Sequence, residues 1–338
     1  MGREVRGWPI IGLATAFLSF PSFADMATGA LIVPNAANAL TLDFATTGSQ
    51  VFAFGERGHI LELNELNDWQ QIDSPTKTTL TRGFFAGQHG WAVGHEATIL
   101  HTPDAGKHWT IQHAWAGQDR PLLDITFLDD NHGIAIGAYG LYLETNDGGN
   151  NWHQRFLTDL LYEEDKEYLE EIRLESEEEY LIELNSMLPH FNAITVQGTK
   201  LVIAGEMGLV AVSDDKGKTW QRLDSGYEGS YFAVKALSES KLLVAGLRGT
   251  LRLLSDDRWQ NLSFSQPITI NNLVLMDEHL WALGNGGHYF KLTDNEGGYE
   301  HYQLTETPAL LDAVFVDQQP VLASAEGILV NPPVKSDK

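Results

Sequence analysis

A glycine recurs along this chain at intervals close to 40 residues, and that spacing constrains the fold more than any other feature. The anchors are Gly55, Gly94, Gly137, Gly205, Gly246 and Gly284, with Ser324 in the seventh place, separated by 39, 43, 68, 41, 38 and 40 residues. Each anchor closes a short apolar run, and an alternating run follows it a few residues later. Upstream of each lies another apolar run: "LTLDF", "GFFAG", "LLDITFL", "FNAITV", "FAVKAL", "INNLVLM" and "LLDAVFV". Each unit thus holds four short strands separated by turn residues, with period-2 alternation in several. Four strands per unit of about 40 residues is the pattern of a propeller blade. Seven units give an all-β, seven-bladed β-propeller. A parallel βαβ fold needs helical periods between strands, and none is present. A sandwich would not repeat itself at this interval.

Three units share a further phrase, Ser/Thr-x-Asp-x-Gly-x-x-Trp: "TPDAGKHW" from Thr102, "TNDGGNNW" from Thr145 and "SDDKGKTW" from Ser213. It reads as the hairpin turn between a blade's third and fourth strands. The aspartate bonds amides of its own turn, and the glycine takes a positive φ. The tryptophan opens the fourth strand and packs between neighbouring blades, so Trp109, Trp152, Trp220 and Trp259 are expected to be buried at equivalent places. A residue repeated from blade to blade cannot single out one catalytic site. The last unit has no fourth strand, while "GALIVP" (Gly29 to Pro34) precedes the first blade without a unit of its own. A ring hides its edges when one terminus completes the other's blade. Ala30 to Val33 are therefore expected to be the outer strand of blade seven.

The first 24 residues differ in kind. Arg3 and Arg6 precede an apolar run from Trp8 to Phe20, and small residues follow at Ser22 and Ala24. This reads as a signal peptide over 1–24, leaving the propeller at 25–338 and a periplasmic, or secreted, location. There is no cysteine, which removes disulfides, thiolate metal sites and a lipidated N-terminal cysteine together. A net charge of −24 disfavours nucleic acid and anionic membrane surfaces.

The one long interval, between Gly137 and Gly205, holds about 28 extra residues. They fall within 157–190 and read as an acidic helical insertion, with twelve acids against Lys166 and Arg173 between Asp159 and Leu188. Leu161, Tyr168 and Ile172 share one helical face, and Tyr180, Leu181, Leu184 and Leu188 form a second cluster. The insert is expected to flank the face that carries the Gly-x-x-Gly turns, and the propeller to survive its deletion. It reads either as a solvated helix on the rim or as a docking element.

No His-Glu-x-x-His, Gly-x-Ser-x-Gly or phosphate-loop motif occurs, and no cofactor or metal site is expected. The Gly-x-x-Gly turns present Glu56, Arg57, His95, Glu96, Tyr139, Glu206, Met207, Arg248, Asn285 and Glu326, and the inner-strand starts add Arg82, Asp124, His190, Asn192, Tyr231, Asn271 and Asp312. Mixed charge with arginine and tyrosine suits protein recognition. The residues expected to meet a partner are Arg57, Arg82, His95, Glu96, Arg120, Tyr139, Glu206, Tyr231, Arg248 and Asn271. A sialidase needs an arginine cluster, a tyrosine nucleophile and an acid/base aspartate, and Arg57, Arg82, Arg120 and Arg248 with Tyr139, Tyr231, Asp124 and Asp312 supply those types. The Arg-Ile-Pro phrase that opens sialidases is absent, and the blade count is seven rather than six.

The repeated phrase is the Asp-box, or bacterial neuraminidase repeat. With "GWAVGHEATILHTPDAGKHW" (Gly90 to Trp109), the chain resembles the photosystem II stability and assembly factor family over Leu40 to Val330, apart from the insert. The resemblance implies a propeller that binds photosystem II reaction-centre intermediates in photosynthetic organisms. Similar proteins in heterotrophic bacteria look like partners of resistance-nodulation-division exporters. The missing lipidated cysteine and the acidic insert weigh toward that second branch. The expectation is a non-enzymatic accessory factor of a membrane-protein complex, docked from outside the cytoplasm without a lipid anchor. Its partner is expected to be an exporter, with photosystem II assembly as the alternative and sialidase-like hydrolysis third.

Overall fold

The computed structural model describes residues 29–117, 119–293 and 297–335. The signal-peptide reading lies outside these residues. Seven antiparallel sheets follow one another, six of four strands and a seventh of three. Blade two is representative, with strands Leu80–Ala86, His89–Gly94, Ile99–Thr102 and Thr110–His113 from axis to rim. The inner strands of the others are Thr41–Thr47, Leu122–Phe127, Phe191–Gln197, Tyr231–Ser238, Ile270–Met276 and Leu310–Val316. Every anchor residue ends a second strand.

Six of the seven anchors are glycine, and at these a carbonyl approaches closely. In all seven blades the residue after the anchor donates its N–H to the carbonyl just before the inner strand, as His95 does to Thr79 and Leu247 to Ser230. A Cβ on Gly94 or Gly246 would lie 2.0 Å from that oxygen. The backbone itself is extended there, so the requirement is space rather than a left-handed conformation.

The Asp-box turns are built alike. In blade four Ser213 Oγ donates to Asp215 Oδ1 at 2.8 Å and accepts the Gly217 N–H at 2.8 Å, while the Thr219 N–H reaches Asp215 Oδ1 at 2.9 Å. Gly217 sits at φ +86°. The Trp220 indole donates to the Gly217 carbonyl at 3.0 Å and meets the Tyr142 ring of blade three edge-on. Trp109 and Trp152 hold matching places against Phe54 and Phe127 of the preceding or same blade. All three are buried, whereas Trp259, whose turn lacks the box glycine, is only partly so.

The ring does not close as the termini suggested. Ala30 donates to the Ser74 carbonyl, and Gln71 bridges the Leu31 carbonyl and the Val33 N–H, so this segment lies along blade one. Blade seven keeps three strands. Residues Ala36–Asn38 pack on its last strand, Gly327–Val330, while the tail bridges Leu304 of blade six through Val334. The physical reason is that Gln71 and Ser74 of blade one supply the segment's hydrogen-bond partners. The chain turns in a 3-10 helix at Ala36–Asn38 directly before the first inner strand, which packs an apolar cap there in place of a strand.

The insert forms two helices, α1 (Glu163–Glu175) and α2 (Glu177–Met187), the second capped by Ser176 Oγ on the Glu179 N–H. Leu161, Leu169, Leu184 and Leu188 are buried in one cluster with Trp220 and Tyr142. Tyr168 and Leu181, placed on the inward faces by periodicity, are exposed instead. Asp159 accepts the Trp220 N–H, and Leu188 packs on Gly140 of the third Gly-x-x-Gly turn. The insert does flank that face. Its base belongs to the core between blades three and four, so deletion of Asp159 to Leu188 would uncover Trp220 rather than remove a separate appendage.

Candidate functional site: an axial charge ring and the Gly-x-x-Gly face

Each inner strand carries a one-residue bulge directly after its first pair. The residue after the bulge therefore occupies the same place in every blade: Asp43, Arg82, Asp124, Ala193, Ala233, Asn272 and Asp312. These line a channel of about 740 Å³ on the axis. Three of them stitch adjacent blades. Asp43 accepts the Gly83 N–H at 2.8 Å, Asp124 the Ile194 N–H at 2.9 Å, and Asp312 the Phe44 N–H at 2.8 Å. The last of these joins blade seven to blade one and helps close the ring. Asn272 donates to Asp312 at 3.0 Å. Arg82 spans two neighbours, at 2.7 Å from Asp43 and 3.3 Å from Asp124.

Burial opposes the charge on Arg82, but the carboxylates of Asp43, Asp124 and Asp312 outweigh it and raise its pKa. Burial raises Asp124 against the pull of Arg82. Burial, then the neighbouring Asp43 charge, raises Asp312 well above the ordinary carboxylate range. Arg82, Asp124 and Asp312, read from the sequence as a docking surface, are thus partners of one another. Tyr231 is also removed from that surface, because it is fully buried and its hydroxyl bonds Ser225 at 2.8 Å. Asn271 reaches Asn285 and the Leu310 carbonyl, joining blade six to blade seven.

The Gly-x-x-Gly tips remain open. Their third residue is left-handed at Arg57, Glu96, Tyr139, Met207 and Arg248, with φ between 53° and 57°. This conformation is uncommon for a residue with a Cβ, and it recurs in five blades. The Arg57 side chain is 76% exposed, Met207 60% and Tyr139 47%. Arg248 and His95 are exposed as well. Structure gathers one part of the set closely. The His190 ring meets Tyr139 edge-on at 4.6 Å, with Glu206 3.6 Å from the imidazole and Arg120 5.9 Å from the Tyr139 ring. Arg120 is pinned by two bonds to Asn185 of α2. Sequence reasoning missed Asn185 because nothing in an acidic helix marks one asparagine as a clamp. It also missed Asp43 and Asn272, although for Asp43 the Leu-Asp shared by "LTLDF", "LLDITFL" and "LLDAVFV" carried the signal.

The Asp-box aspartates carry a pH dependence. His108 holds Asp104 down to about 2, and the Thr219 N–H and hydroxyl do the same for Asp215. Both lie below the ordinary value of 3.8, so their contribution is full above it and lost as pH falls toward 2. The variant Asp215→Asn is expected to lower Tm at neutral pH and to flatten its fall between about pH 4 and 2. An unchanged acid profile would show that the turn does not supply this stability.

The sheets and turns define an Asp-box propeller of seven blades. The family model described as "Photosynthesis system II assembly factor YCF48" matches residues 112–192. The chain is 30% identical over 230 residues to the photosystem II assembly lipoprotein Ycf48 of a Picosynechococcus strain, covering 65% of this chain and 59% of that protein. It is 38% identical over 58 residues to photosystem II assembly protein Ycf48 of a Synechococcus strain, covering 16% and 17%. The chain thus spans less than two thirds of these relatives' lengths. A solved structure of YCF48 bound to D1 peptide superposes with a TM-score of 0.64 at 16% identity, covering 93% of this chain and 98% of that one. YCF48 from Cyanidioschyzon merolae gives 0.64 at 15% identity, covering 90% and 98%. The chain is thus similar to the photosystem II assembly factor-like β-propellers in sequence over part of its length and in fold over most of it. No helix among the described residues is long and apolar enough to cross a membrane.

Proposed function

We propose that this protein is an exported, non-enzymatic propeller that holds an extracytoplasmic segment of a membrane protein during assembly, as a photosystem II assembly factor does. The 230-residue likeness to a Ycf48 lipoprotein carries the reading. It favours the assembly-factor alternative over the exporter partner expected from the sequence. A YCF48 structure of the same fold holds a D1 peptide, which supports a protein segment as the ligand. The open tips at Arg57, Tyr139, Met207 and Arg248, with His190 and Glu206 between them, form the docking face. A hydrolytic role loses support because Arg82 is saturated by carboxylates, Arg120 by Asn185, and Tyr231 is buried.

Titration of labelled D1 peptide tests this. Saturable binding is expected, weakening with salt as exposed charges are screened over about 8–10 Å. The variant Arg57→Ala/Tyr139→Ala is expected to bind about tenfold more weakly, the loss typical of one or two anchor side chains. Absence of saturable binding would overturn the photosystem reading.

A further inference from the structure

The insert buries some of its apolar residues and leaves others in water. Leu169 and Leu184 face the core. Tyr162 stacks under Arg222, and Tyr180 under Arg173. Leu174, Leu181 and Ile182, however, stand around the α1–α2 junction at 88%, 41% and 61% exposure. Nothing in the fold uses them. Two leucines and an isoleucine are thus left exposed on a seated pair of helices, apolar area whose burial would be favourable.

Charge decides what covers it. The insert that carries these side chains holds twelve acids against two basic residues, with Glu171, Glu175, Glu178 and Glu183 within four residues of them in sequence. An anionic membrane surface is repelled by that field, and so is a second copy of the same hairpin. A segment carrying lysine or arginine beside leucine-like side chains satisfies both the apolar and the charged parts. We propose that the α1–α2 junction is a second docking site, for a cationic amphipathic segment of the protein partner. The inference rests on the partner-binding reading above and adds to it a distinct surface and a distinct ligand chemistry.

The test uses the full chain and three synthetic helical peptides, Leu/Lys, Ser/Lys and Leu/Glu, with binding read by fluorescence anisotropy at about 0.15 M salt. The Leu/Lys peptide is expected to bind, and Leu174→Ser/Ile182→Ser to weaken it about tenfold without changing net charge. Glu171→Gln/Glu175→Gln/Glu178→Gln is expected to weaken it as well, and Leu/Glu to bind to none. Both variants alter exposed residues, and an unchanged circular dichroism spectrum and Tm verify the fold. Equal binding of Ser/Lys and Leu/Lys, or a Leu/Lys affinity unchanged in the serine variant, would reduce the site to charge alone and overturn the proposal. So would binding of the wild type to zwitterionic vesicles, or a dimer lost in the serine variant. Arg57→Ala/Tyr139→Ala is expected to keep Leu/Lys binding while D1 peptide binds about tenfold more weakly, so failure here and failure of the docking face are told apart.

Discussion

Replacing Arg82 with methionine is expected to lower stability by about 3–5 kcal/mol at neutral pH, the range seen when one member of a buried charge cluster is removed. Arg82 touches Asp43 and Asp124 at 2.7 and 3.3 Å, and its loss leaves three carboxylates, with Asp312, without the cation that pairs with them. Two of these already sit above their ordinary pKa. A raised folded-state pKa favours the folded chain below the unfolded value and disfavours it as pH rises through the folded one. The deficit of the variant should therefore narrow from pH 7 toward about pH 5, where the remaining carboxylates take up protons at less cost. Chemical denaturation across this range measures it. A loss under about 1 kcal/mol, constant with pH, would show that the ring does not hold the blades.

Trp220→Ala is expected to cost a similar 3–5 kcal/mol, as for large aromatic truncations in cores. Its ring is 5% exposed, and it joins blade three, blade four and the insert in one cluster. The amide of Trp220 is held by Asp159, and the neighbouring Gly217 carbonyl also accepts from Arg155 of blade three. Loosening the tryptophan thus frees the insert too, and protease cleavage within 159–188 should accelerate in the variant. Trp259→Ala, at a partly exposed ring, is expected to cost less. Equal losses at the two positions would mean that the Asp-box does not specify the inter-blade packing.

The blades were legible because each anchor glycine answers a local need that repeats: a carbonyl arrives where its Cβ would stand. The Asp-box was legible for the same reason. Ring closure was not, since whether Ala30 to Val33 pair with blade one or blade seven depends on distant partners such as Gln71 and Ser74. The docking face was half legible. Alternation placed Arg82, Asp124 and Asp312 at strand starts, but a one-residue bulge turned them onto the axis. A bulge leaves no mark in a hydrophobic pattern. In the insert, the stripe was misplaced by one residue, Leu169 rather than Tyr168, because both fit a helical period and only the neighbouring blade decides.

The Gly-x-x-Gly face, and not the Asp-box face, is proposed to meet a membrane protein. A photo-crosslinking residue at Met207, 60% exposed on a Gly-x-x-Gly tip, can be compared with one at Lys216 in an Asp-box turn, both in the native host's membranes. Adducts with an integral membrane protein are expected from position 207, weakened by Arg57→Ala/Tyr139→Ala, and none from position 216. Adducts from position 216 alone would contradict it.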